Sequence, residues 1–378
     1  MATRSQLKMQ VPFFRYPFLF EQQRDEILQA MTDVMERGAY ILQHELRDFE
    51  AALAAFLGVK HAMGVANGTD GLIIALRAAG VGPLDEVIVP SHTYVASVAA
   101  IHFVGARPVL VDCGEDHLID PAQVEAAITA HTRAIMPVHL NGRTCDMDAL
   151  QRIAGRCGAL IVEDAAQGLG SRYKGRAAGT FGVAAAFSFY PAKVLGCFGD
   201  GGSITTGDPM VARRVMLLRD HGRNEDGEVV TWGFNSRLDN LQAAILKVKL
   251  AYFEAEIERR RQLARLYREG LAELADMTLP PGPDGDPDHF DVYQNYEVEA
   301  ERREALREYL ERNGVRTVVQ WGGKAVHQFE GLGFTGMRLP RTERLFKRCV
   351  LLPMNTSLTD DEVHYTCEVI RRFYGRPA

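Results

Sequence analysis

The sequence predicts an α/β fold, with a large domain on a mainly parallel sheet and a smaller C-terminal α/β domain. Three observations carry that prediction. From about residue 85, short β-branched runs alternate with helical stretches, the order that builds a parallel sheet with helices on both faces. Those runs are apolar throughout, as strands buried on both faces must be. Near residue 235 the rhythm gives way to a long amphipathic stretch and then a short set of strands and helices. The predicted division is a large domain with an N-terminal arm over 1–250, then a linking helix and small domain over 251–378.

Each element has a local reason. Asn67-Gly68-Thr69-Asp70-Gly71 places small residues ahead of the apolar helical stretch 72–79. That is a helix start whose free N–H groups and dipole suit a phosphate, or a plain N-cap with a turn. Apolar runs predict strands at 87–90, 108–112, 134–138 and 159–162, and further strands at 184–189 and 203–206. Helical spacing predicts helices over 121–132 and 146–157, each with acidic residues near its start. One long helix is expected over 238–274, with Arg259-Arg260-Arg261 on a solvated face. A Pro/Gly-rich loop at 279–287 precedes a strand at 292–299, a helix at 302–313, a strand at 315–320 and a closing helix at 359–374.

Composition bounds the function. The 378 residues are 47% hydrophobic and 24% charged, with a formal net charge of -6. A general nucleic-acid or acidic-membrane surface needs clustered Lys and Arg instead, so small-molecule chemistry is expected. The N-terminus shows no apolar signal core, and no run is long enough to span a bilayer. A cytoplasmic protein is expected. Cys113, Cys145, Cys157, Cys197, Cys349 and Cys367 lack C-x-x-C spacing and read as free buried thiols, with no metal site.

Lys193 is the most informative residue. Phe187-Ser188-Phe189-Tyr190-Pro191-Ala192-Lys193 delivers a serine, a proline turn and one amine, with Gly199-Asp200-Gly201-Gly202 close behind. A desolvated pocket penalises the ammonium, so the amine can be neutral and condense with an aldehyde. Pyridoxal 5'-phosphate is the usual partner, and it needs a carboxylate at its ring nitrogen and a phosphate cradle. Asp164 ends an apolar run, where parallel sheets meet ligands, although a helix N-cap is the plain alternative. The 67–71 segment offers the cradle and Ser188 a further hydroxyl. Tyr94 either stacks on a flat ring or packs in the core. His139 reads as a structural imidazole, and His327, in the glycine-containing loop 321–327, as a substrate contact.

Asn67-Gly68-Thr69-Asp70, Glu163-Asp164-Ala165-Ala166-Gln167, the 187–193 segment and Gly233-Phe234-Asn235-Ser236-Arg237-Leu238-Asp239-Asn240-Leu241-Gln242-Ala243-Ala244 together resemble the DegT/DnrJ/EryC1/StrS family of sugar aminotransferases. The resemblance covers nearly the whole chain and implies an aspartate-aminotransferase-like fold (PLP fold type I). It implies that Lys193 carries the cofactor and shuttles a proton. Asp164 would pair with the pyridinium nitrogen and Gln167 would contact the 3′-hydroxyl. Gly68, Thr69, Asp70 through its backbone, and Ser188 would bind the phosphate, with Tyr94 stacked on the ring. The family's asparagine at the position of Asn235 reaches the phosphate of the neighbouring subunit, which implies a homodimer with shared active sites. Members often carry a His-Tyr pair and a Pro-Leu-His segment in the small-domain loop. Here that stretch reads Gln320-Trp321-Gly322-Gly323-Lys324-Ala325-Val326-His327. Its histidine survives as His327, while Lys324 and Arg316 offer cations to a diphosphate or carboxylate.

The expected activity is amino transfer from glutamate to a keto group of a nucleotide-linked deoxysugar. A keto-cyclitol or sugar phosphate is the alternative acceptor. A sugar dehydratase would resemble the same family but carry histidine at the position of Lys193, and a non-enzymatic regulator would keep only the cofactor pocket.

Overall fold

The computed structural model describes residues 9–376. Seven strands form the central sheet in the order His61–Val65, Gly202–Thr206, Ala184–Ser188, Leu160–Asp164, Thr132–Ile135, Glu86–Pro90, Arg107–Val111. Gly202–Thr206 alone runs against its neighbours, and every other pairing is parallel. The six expected strands of this domain are present, with ends shifted by a few residues. His61–Val65 was not anticipated. It has no β-branched run and is held as an edge by register pairing with Gly202–Thr206.

Alternation along each strand divides the apolar side chains between two faces. Ala186 packs with Leu72 and Leu76 on one face. Phe187 packs with Phe49, Leu53 and Leu246 on the other. Helices cover both faces, and small residues set how closely they approach. A Cβ on Gly71 would lie 3.2 Å from the Ala186 Cβ, so the helix Gly68–Ala78 sits almost on the strand.

A second sheet, Met277–Thr278, Tyr296–Ala300 and Cys349–Leu352, is antiparallel throughout. It packs on Leu263, Tyr267, Leu310 and Ile370 from three helices. The expected long helix is two helices, Asn240–Ala251 and Phe253–Leu271, broken at Tyr252. The first helix and the start of the second, Phe253 and Ile257, pack in the large sheet's cluster, and the second joins the small sheet's from Leu263 on. Two of the three arginines are not solvated. Arg260 and Arg261 are buried, and their guanidinium groups donate to the carbonyls of Tyr293 and Asp291 at 3.0 Å each. Those backbone acceptors offset the desolvation that makes buried arginine rare.

The expected strand at 315–320 is only two bridges, Val315 to Val11 and Val318 to Leu351. The chain then turns through Trp321, Gly322 and Gly323, all at positive φ. Cys349–Leu352 is the edge strand that pairs with Tyr296–Ala300 instead. Five cysteines are buried, but Cys157 is exposed. Among the described residues no helix is long and apolar enough to cross a membrane.

Candidate active site

A cleft of about 860 Å³ opens where the parallel strands end, bordered by the small-domain loop. Asp164 terminates its strand inside it, 4% exposed. No helix follows, so it is not an N-cap. One carboxylate oxygen accepts from Ser97 Oγ at 2.6 Å and the other from the Ala166 N–H at 3.1 Å. Ser97 is itself held by Thr93 at 2.6 Å. The acid is therefore fixed in orientation before any ligand arrives.

Lys193 lies on the same cleft. The turn that delivers it closes with its N–H donating to the Tyr190 carbonyl at 2.8 Å. Gln294, from the segment leading into the small sheet, clamps that turn. Its amide accepts from the Val194 N–H at 2.7 Å and donates to the Ala192 carbonyl at 2.8 Å. Burial lowers the Lys193 amine to about 8, and the negative charge of Asp164 opposes part of that shift. A neutral fraction near physiological pH makes the amine a competent nucleophile.

The glycines explain the third side. A Cβ on Gly68 would meet the Ser188 Cβ at 2.8 Å, and one on Gly202 would meet the Asn67 carbonyl carbon at 2.6 Å. Helix start, strand end and glycine turn thus converge on one concavity. The Asn67 side chain caps the helix by accepting from the Asp70 N–H at 2.8 Å. That donor is committed to the cap, so Gly68 and Thr69 N–H, with the Thr69 and Ser188 hydroxyls, are the groups suited to a phosphate. Cavity size, buried amine, fixed acid and phosphate cradle together fit pyridoxal 5'-phosphate. Tyr94 is 55% exposed and lines the cleft, its ring centroid 6.3 Å from that of Trp321. Gln167 lines it too, its amide oxygen accepting from the Asn141 N–H at 2.8 Å.

Four sequence-predicted residues lie outside the lining of this chain's cleft. His327 is buried behind it. Its Nδ1 shares a 2.7 Å hydrogen bond with Ser91 Oγ, and its Nε2 lies 3.8 Å from Glu343. Burial lowers its pKa. Lys324 is exposed, and exposed Arg316 is spent on Glu311. Asn235 is also exposed, in a bridge with Asp220. His139 is the structural imidazole, fully buried and 2.8 Å from Glu163. Cys197 donates to the Phe189 carbonyl, and burial pushes its thiol up to about 12, so it is no nucleophile at neutral pH.

Ser97, Asn141, Gln294 and Asn295 escaped the sequence reading. Each acts through a contact with a distant segment, which no local pattern reports. Among the described residues no group of three or more His, Cys, Asp or Glu could hold a metal ion.

Fold and cleft together define a pyridoxal-phosphate-dependent aminotransferase of the aspartate-aminotransferase-like fold. More narrowly, the chain belongs to the DegT/DnrJ/EryC1/StrS aminotransferase family, whose profile matches residues 21–371. It is 43% identical to a dTDP-3-amino-3,4,6-trideoxy-alpha-D-glucose transaminase of Streptomyces venezuelae, covering 100% of this chain and 99% of that protein. A dTDP-3-amino-3,6-dideoxy-alpha-D-galactopyranose transaminase of Aneurinibacillus thermoaerophilus is 40% identical, covering 96% and 99%. The solved structure of S. venezuelae DesV in complex with a ketimine intermediate has a TM-score of 0.93 at 43% identity, covering 98% of this chain and 100% of that one. Bacillus subtilis NtdA with bound cofactor PMP has a TM-score of 0.88 at 30% identity, covering 98% and 87%.

Proposed function

We propose that this enzyme moves an amino group from glutamate to a keto group of a nucleotide-linked deoxysugar. The observation that carries the reading is one cleft lined by the Lys193 amine and the fixed Asp164 carboxylate, in a chain 43% identical to a dTDP-amino-sugar transaminase. When bound, the cofactor supplies the electron sink for loss of a Cα proton. Lys193, lowered to about 8, is matched to carry that proton between Cα and C4′ at neutral pH. Asp164 keeps the ring nitrogen protonated because the ion pair favours the charged form. Gly68, Thr69 and Ser188 would hold the phosphate, with Asp70 serving through the helix cap, Gln167 would offer its remaining amide face to the 3′-hydroxyl, and Tyr94 would stack on the ring.

The homodimer belongs to this proposal. Asn235 lies outside its own cleft, next to a hairpin whose Val229, Val230 and Trp232 are 67%, 54% and 90% exposed. Such an apolar tip suits a second copy, whose cleft Asn235 would reach. All six cysteines are free thiols, which fits the cytoplasm. We place the domain division at about residue 250, where the helix Asn240–Ala251 ends.

Glutamate alone, added to the cofactor-loaded protein, should shift the cofactor absorbance from its aldehyde form to its amine form. A dTDP-linked keto-deoxysugar should then restore the first spectrum. If no amino donor produces a shift, the reading fails. Replacing Lys193 by alanine should abolish turnover, whereas a regulator's partner binding would survive it.

A further inference from the structure

Glu297 projects from the strand Tyr296–Ala300 of the small sheet toward the large domain and is buried there. One carboxylate oxygen accepts from His117 Nδ1 at 3.0 Å and Asn141 Nδ2 at 3.1 Å. The other accepts from Gln320 Nε2 at 3.0 Å, with His92 Nε2 3.7 Å away. Burial by itself would raise this carboxyl's pKa. His92 and His117 outweigh burial and hold it well below the usual carboxylate range, so it remains an acceptor across working pH.

That settles the direction of the Gln320 amide. Its Nε2 also donates to Asn141 Oδ1 at 2.9 Å. Asn141 Oδ1 is an acceptor in turn, because Asn295 Nδ2 donates to it at 2.9 Å. Turning the Gln320 amide over would set oxygen against oxygen at two contacts. Nε2 must therefore face inward. Oε1 is the atom left over, buried and without a donor among the described residues, on a side chain that lines the cleft beside Trp321. A buried acceptor without a partner calls for a donor from outside the chain.

We propose that Gln320 is a specificity-determining residue that accepts a hydrogen bond from a sugar hydroxyl, with Glu297 as the positioning residue that locks its polarity. The proposal rests on the sugar-aminotransferase reading above. An amide oxygen offers a lone pair and no proton, so it is a poor match for phosphate and carboxylate oxygens, and this wall meets the neutral ring and not the diphosphate or the donor's acid groups. Of the two donor-bearing ligands, the sugar offers hydroxyls and glutamate an ammonium. The ammonium is the group that reacts, and it is consumed at the amine side of the cleft.

The test uses the cofactor-loaded enzyme and a dTDP-linked keto-deoxysugar in which each ring hydroxyl in turn is replaced by fluorine, which accepts but cannot donate. One fluoro analogue should lose about 10- to 100-fold in kcat/KM with the wild-type enzyme. Gln320→Met should raise KM for the parent sugar by about 10-fold or more and no longer distinguish it from that analogue. The glutamate half-reaction and the cofactor spectrum should be unchanged. Glu297→Gln, which can donate to Oε1 and let the Gln320 amide turn over, should also narrow the gap between parent and analogue. If no fluoro analogue is discriminated by the wild-type enzyme, the proposal falls, whatever the folding of the variants. It also falls if Gln320→Met raises KM for glutamate and not for the sugar. Failure of glutamate to convert the cofactor in the wild-type enzyme would instead sink the underlying functional reading.

Discussion

Replacing Lys193 by methionine in the cofactor-free protein should raise its stability at neutral pH. Burial, opposed by Asp164, leaves the folded-state amine at about 8 against 10.5 in a free lysine. Between those values the unfolded chain binds more protons than the folded one, so stability rises with pH from about 8 to about 10.5. Below about 8 the cost is fully present. At about 1.36 kcal/mol per pKa unit the whole shift amounts to roughly 3 kcal/mol. Because the residue opens on the cleft, about 1–3 kcal/mol is the working range. Methionine has a similar reach without the charge, and Asp164 keeps its bonds from Ser97 and Ala166. An unfolding entropy of about 2.1 cal/mol/K per residue gives a gain of about 1–4 °C in Tm for a chain of 378 residues. Calorimetry on cofactor-stripped wild type and variant at pH 7 and near pH 10.5 reads this directly. The gain should be present at the first pH and largely gone at the second. A variant that melts at or below wild type at pH 7 would refute the reasoning, as would a gain that persists undiminished in alkali.

Gly202→Ala should weaken cofactor binding by about 10-fold or more, measured by fluorescence titration, since its Cβ would lie 2.6 Å from the Asn67 carbonyl carbon and 2.9 Å from the Gly68 nitrogen. The strand pairing of Gly202 with Ser188 should survive, so secondary structure by circular dichroism should not change. Asp164→Asn keeps the shape but removes the charge facing the ring nitrogen. It should lower kcat by about 100-fold or more while the cofactor remains bound, as absorbance and steady-state rates would show.

The parts of this enzyme that could be read from sequence are those in which one short segment holds both the structure and the chemistry. Val87, Ile88 and Val89 are each fully buried, so burial on both faces writes itself as an unbroken apolar run. Asp164 stood out as an acid closing such a run, and Lys193 as the one amine in the turn that follows another. Arg260 failed as a prediction because charge in a helix reads as solvation unless the carbonyls that receive it are known. The Glu297 cluster was invisible for the same reason. His117, Asn141, Glu297 and Gln320 come from four separate segments and share no period. Yet this cluster fixes a measurable property of the fold. Burial lowers the His117 pKa, but Glu297 at 3.0 Å and Glu299 at 3.2 Å outweigh it and raise the group to about 10 from 6.5. His92 also faces Glu297, and Arg344 and Arg348 face Glu299. A raised folded-state pKa means that the stabilisation is complete below about 6.5 and is lost as pH climbs toward about 10. His117→Gln should therefore cost about 3–5 kcal/mol at pH 6, the range for breaking a buried pair. Denaturant unfolding of wild type and variant side by side cancels the opposite contribution of Lys193, and the gap between the two should narrow steadily up to pH 10. A gap of constant size would mean that the imidazole packs between the two sheets without carrying its charge.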